Sequence, residues 1–401
     1  MKTRLVSNTI LCLSLLALTG CSSLRESVSD SVSDTVRSYL GSEDAGEKPA
    51  ELRKITSTLN VSERWSASVG SDAKKFYVRL QPTVDGDRIY AAGVKGKVSA
   101  YDVKTGNILW QVDTKARLRG GPGIGDGLVL LGTADAELIA LDRETGAERW
   151  RTLASSEILA APSAEDGVAV ARSIDGRIFA YESATGKRLW IHDSSVPVLT
   201  LRGTSSAVIF AGGVIAGLAN GKIVALRLKN GELLWEKRIA VPRGRSELAR
   251  IVDIDADPIV ADGVIHVATF QGNVATIALE NGRGLWNRKM SSHAGIGADS
   301  QRLYVTDADS QVWSLERRSG SSFWKNSELR ARKLTAPVTI NNHIVVADLE
   351  GYVHFLKRDN GAVAARIRVG SSPIVAAPVV VGDTVFISSS SGTLTALRVG
   401  G

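Results

Sequence analysis

Gly96-KVSAYDVKTGNIL-Trp110 is restated as Gly176-RIFAYESATGKRL-Trp190 and again as Gly221-KIVALRLKNGELL-Trp235. Each copy holds two alternating apolar stretches and a second glycine, and its tryptophan lies 14 residues after the first glycine. A unit that returns about every 40 residues marks a β-propeller or another repeat array, and it decides the fold here.

The second turn of the unit is the most diagnostic part. Asp102-x-x-Thr105-Gly106-x-x-x-Trp110 is followed by matching turns at Asp142 to Trp150 and Glu182 to Trp190. Weaker copies run through Gly231 to Trp235, Gly282 to Trp286 and Gly320 to Trp324, and Gly361 leads to Ala365, where the tryptophan is missing. The glycine suits a tight hairpin with positive φ, and the tryptophan suits packing between neighbouring sheets. Short Val, Ile and Tyr runs such as Arg88–Ala92 and Val264–Ala268 follow Asp-Gly turns and read as strands. Seven copies leave two fragments, an isolated Trp65 and a final run from Val385 to Val399. Together they make one more blade, and joining them removes two exposed edges. The expectation is an all-β, eight-bladed β-propeller with four-stranded antiparallel blades over residues 56–401, closed by an N-terminal strand in the last blade. The repeat resembles that of pyrroloquinoline-quinone-type propellers.

Residues 1–20 read as a signal peptide, with Lys2 and Arg4 ahead of the apolar run Ile10 to Leu18. Leu18-Thr19-Gly20-Cys21 resembles a bacterial lipobox, which implies lipid on Cys21. Ser22, rather than Asp, after it implies sorting to the outer membrane. Residues 21–55 are rich in Ser, Asp, Glu and Gly and are expected to form a flexible tether, with at most a transient helix over Ser27 to Leu40. Cys12 leaves with the signal, so no disulfide is expected. The formal charge is +7, but Lys and Arg are scattered among acids rather than clustered. That pattern argues against nucleic acid as a partner.

The repeat stretches in two places. Tryptophans 110, 150 and 190 are 40 apart, but the next intervals are 45 and 51. The extra residues fall within Ser194 to Val208 and Val241 to Pro258, where insertions are expected to form loops on a binding face. The first contains Val198-Leu-Thr-Leu-Arg-Gly203, and the second contains Arg243 to Arg250 followed by Asp253-Ile-Asp255-Ala-Asp257. Leu199 and Leu201 alternate as on a strand facing a core. The three aspartates would share one face of a strand, which is usually solvated. They lack the glycine and glutamate of a calcium loop, so no metal is expected.

With the lipobox, the tether and these two segments, the chain resembles the BamB family, propeller lipoproteins of the outer-membrane β-barrel assembly machinery. The resemblance implies a non-enzymatic scaffold with no cofactor, a monomeric propeller within a hetero-oligomer. It would be anchored through lipid to the outer membrane, facing the periplasm, and would assist insertion of β-barrel proteins. It further implies that Leu199, Leu201, Arg202, Asp253 and Asp255 contact a POTRA domain of BamA, beside other subunits and nascent barrel proteins. Arg202 could instead bridge to Asp253 or Asp255 inside the propeller; both roles stay open from sequence. The rival readings are a PQQ-dependent periplasmic dehydrogenase and a ligand-sensing propeller. Those enzymes are longer and often carry a Cys-Cys pair that this chain lacks. The five histidines, His192, His266, His293, His343 and His354, are dispersed and read as satisfied structural residues.

Overall fold

A computed structural model describes residues 47–70, 78–203 and 205–400. The signal peptide, Cys21, the transient helix and the tether as far as residue 46 lie outside the described residues. Among the described residues, thirty-two strands form eight four-stranded antiparallel sheets, seven of them built from consecutive hairpins. Blade 1 is Thr83–Asp85, Arg88–Ala92, Lys97–Asp102 and Ile108–Asp113, and six further blades follow in chain order. In blade 8, Val379–Val381, Thr384–Ser388 and Thr393–Val399 are completed by the N-terminal strand Val61–Ser68. The first strands of blades 1 and 8 also touch each other, so the ring is closed.

Middle strands are buried on both faces, as at Leu128–Thr133, because each sheet is packed between two others. Outer strands bury mainly their tryptophan, as at Ile108–Asp113. Seven indoles form a belt. Trp65, Trp110, Trp150, Trp190, Trp235, Trp286 and Trp324 each donate their ring N–H to a carbonyl of the next blade, at 2.8–3.1 Å. Each ring lies on the turn glycine of that next blade, from Gly106 under Trp65 to Gly361 under Trp324. The turn is tied by its aspartate: Asp102 Oδ1 accepts from the Thr105 backbone N–H and hydroxyl, both at 2.7 Å.

Blade 7 carries Ala365 in place of an eighth tryptophan, and the ring shows why. The last two strands of blade 8 come from opposite ends of the chain, so no turn glycine joins them for an indole to cover. Ala365 instead belongs to a core cluster with Val399, against which Leu59 and Val61 pack.

Residues 50–58 run down the outside of blade 7 as a strap. Arg332 Nη1 donates to the Ala50 carbonyl at 2.9 Å, Arg366 Nη1 to the Arg53 carbonyl at 3.1 Å, and Thr58 N–H to Ala364 at 2.8 Å. Leu52 covers the core around Trp324 and Leu329. Both arginines are braced from below: Arg332 Nε donates to the buried Asp348 at 2.7 Å, and Arg366 Nε to His354 Nδ1 at 3.2 Å. The tether boundary expected at residue 55 falls within this docked segment.

Candidate functional site

Hairpin connectivity places all blade-to-blade connections and all second-to-third-strand turns at one end of the ring. Both insertions are such connections, between Arg188–His192 and Val208–Phe210 and between Leu233–Arg238 and Ile259–Ala261. They therefore open on the same face.

The first insertion contains no strand among its described residues up to 207, so the alternation of Leu199 and Leu201 does not reflect sheet structure. Val198 is 92% exposed and Val196 is exposed, while Leu199 and Leu201 are half-buried. Arg202, at φ 60°, is exposed and pairs with Glu157 of the preceding connection. Of the partners left open by the sequence, neither Asp253 nor Asp255 pairs with Arg202 among the ion pairs of the described residues; Glu157 does. The second insertion adds exposed Val241, a 3₁₀ turn over Leu248–Arg250, and exposed Arg243, Arg245 and Arg250. Among the described residues, Glu247 is the acid near this group, 3.5 Å from Arg250.

The aspartates are not on the solvated face of a strand. Residues 251–257 are irregular and enter the joint between blades 4 and 5, with Ile254 inserted between Gly217 and the core of blade 5. Backbone bonds fix them there: Ile254 N–H donates to Leu218 at 3.2 Å, and Phe270 N–H to Asp253 at 2.9 Å. Asp253 is fully buried and Asp255 nearly so. Both face the back of the first insertion. Asp253 Oδ2 accepts from the Leu201 N–H at 2.6 Å, and Asp257 Oδ1 from the Ser206 N–H at 2.5 Å. Arg172, buried at the end of blade 3, donates to the Ser205 carbonyl at 3.2 Å among these carboxylates.

Burial dominates the electrostatics. It pushes the Asp253 carboxyl up to about 7 against the pull of the Leu201 N–H, with Asp255 adding to the rise. Asp257 is raised and Arg172 lowered for the same reason, the latter opposed by the three aspartates. Asp253 Oδ1 has no hydrogen-bond partner in the protein.

Sequence reading missed Glu157, Arg172 and Arg79, which complete this network. The available signal was a second repeat of apolar residue, x, small residue, x, proline. It reads Ile158-Leu-Ala160-Ala-Pro162, Ile254-Asp-Ala256-Asp-Pro258 and Ile374-Val-Ala376-Ala-Pro378. Aligning these puts Ile254 in the core and the aspartates in the joint. No group of three or more metal-ligating side chains occurs among the described residues. His266 and His354 are bonded to Thr276 and Asp348, but the buried Nδ1 atoms of His293 and His343 lack partners, contrary to expectation.

The fold and its two loops define a repeat propeller with exposed apolar and basic residues on one end. The family model described as outer membrane protein assembly factor BamB matches residues 56–116 and 94–326. The curated BamB of Alkalilimnicola ehrlichii is 49% identical over 349 residues, 87% of this chain and 91% of that protein. The crystal structure of BamB from Moraxella catarrhalis superposes with a TM-score of 0.78 at 28% identity, over 84% of this chain and all of that one. A quinohemoprotein alcohol dehydrogenase from Comamonas testosteroni, at 15% identity and TM-score 0.68 over 84% of this chain and 76% of that one, shares the fold alone. The chain belongs to the BamB family of outer membrane protein assembly factors.

Proposed function

We propose that this assembly factor, which is not an enzyme, docks onto a POTRA domain of BamA through residues 196–203. The observation that carries the reading is Val198, 92% exposed at the tip of an inserted loop that also presents Leu199, Leu201 and Arg202. Apolar side chains beside an arginine suit the centre of a protein interface. Asp253 and Asp255 act from behind by holding the loop in shape. Arg243, Arg245 and Arg250 form a cationic rim, which fits a partner with carboxylates around an apolar pocket.

Lipid on Cys21 anchors the protein to the inner leaflet of the outer membrane, and the propeller stands in the periplasm. There it orients the periplasmic domains of BamA, beside other subunits, while barrel proteins are inserted. The test is binding of purified BamA POTRA domains to wild type and to Leu201→Glu and Arg202→Ala. Expected is a loss of at least 10-fold for Leu201→Glu with unchanged tryptophan fluorescence. Full affinity in both folded variants would remove the loop from the interface.

A further inference from the structure

Arg79 lies four residues before the first strand of blade 1, and Asp255 lies four before the first strand of blade 5. The two occupy the same place in the second repeat, since Val78-Arg-Leu80-Gln-Pro82 aligns with Ile254-Asp-Ala256-Asp-Pro258. In an eight-membered ring, blades 1 and 5 stand opposite each other. Arg79 Nη1 nevertheless lies 3.7 Å from Asp255 Oδ2, and its Nη2 donates to the His293 carbonyl at 3.0 Å. The guanidinium therefore reaches across the axis at the end of the ring that carries both insertions. Asp255 in turn lies beside the docking loop: its Oδ1 is 3.7 Å from where a side chain on Gly203 would begin, next to Arg172. Two residues earlier, Asp253 holds the Leu201 N–H.

We propose that Arg79 is a positioning residue for partner binding, a strut that fixes Asp255 from the far side of the ring and so sets the shape of residues 199–203. The proposal rests on the reading that this loop docks the partner. A loop ordered before encounter loses less entropy on binding, which raises affinity without a new contact. Arg79 therefore contributes to a surface that it does not itself form.

The test uses Arg79→Gln and Arg79→Lys in the full chain, with two readouts. Amide hydrogen exchange at Leu201 reports loop order without any partner. Binding of purified POTRA domains reports the consequence. Expected for Arg79→Gln are exchange at Leu201 at least 10-fold faster and affinity about 10-fold weaker, with both largely restored in Arg79→Lys. Unchanged exchange in Arg79→Gln overturns the strut. Faster exchange with undiminished affinity overturns the positioning role. Full binding by Leu201→Glu would instead defeat the docking reading, leaving the strut to be judged by exchange alone.

Discussion

Glycine and tryptophan make one joint seven times in this ring, and each partner explains the other. A β-carbon on Gly146 would lie 2.6 Å from the Trp110 ring, and the residue sits at φ 75°. Gly146→Ala should therefore destabilise by about 2–4 kcal/mol, through clash and backbone strain together, as measured by urea unfolding. The offset of Trp110 from its own turn glycine, Gly106, was legible in the sequence because that turn is local; its seat on Gly146 of the next blade was not. Ala365 was not, because its reason is closure: the turn that an indole would cover does not exist. Restoring the repeat with Ala365→Trp should lower stability by about 1–3 kcal/mol, since Ala365 belongs to a core cluster with Val399, against which Leu59 and Val61 pack. A gain would show the site to be underpacked. Asp253 supplies a titration. Its folded carboxyl keeps its proton up to about pH 7, well above an unfolded aspartate. Its contribution is thus fully favourable below about pH 4 and is lost as pH rises through 7. Asp253→Asn should flatten this part of the stability profile and gain on the order of 2–4 kcal/mol at pH 8. Urea midpoints that fall equally in both proteins would exclude Asp253 as the source.

At the level of elements, polar composition concealed the strap. Residues 50–55 show no apolar periodicity, so they read as tether, yet their backbone carbonyls rather than side chains receive the two arginines. No sequence pattern advertises a carbonyl. The arginine beneath is open to a direct test. Arg332 and Asp348 have side chains only 3% and 0% exposed, so Arg332→Met strands a buried carboxylate beside His354. The expected cost is about 3–5 kcal/mol, accompanied by earlier proteolytic cutting within residues 50–58. Stability within error of wild type would mean that the His354 contact alone sustains Asp348. The insertions were legible as interruptions of a spacing, but their contents were only half readable. Leu199, Leu201 and Arg202 lie in the exposed loop as their placement outside the repeat suggests. Asp253 and Asp255 belong to a second, fainter repeat that reaches into the joint between blades.

For the whole molecule, the number of blades followed from counting seven copies of the turn, the last without its tryptophan, and joining the two end fragments into one more. The proposed docking face needed three dimensions, since Glu157, Arg172 and Arg79 come from segments remote in sequence. Charge on that face includes the exposed Arg243 and Arg245 of the second insertion. Association with POTRA domains should slow several-fold between 50 and 300 mM salt, following ordinary screening over about 10 Å. Arg243→Ser with Arg245→Ser should remove most of that dependence while leaving dissociation nearly unchanged. Surface plasmon resonance separates the two rates, and an undiminished salt slope would exclude these arginines from steering.

The strap also fixes the order in which the molecule feels tension. A pull along the N-terminal segment meets the Ala50 and Arg53 carbonyls, gripped by Arg332 and Arg366, before it reaches Val61–Ser68. Load is shed into the flank of blade 7 first. The strand that shuts the circle is spared until those two grips have slipped.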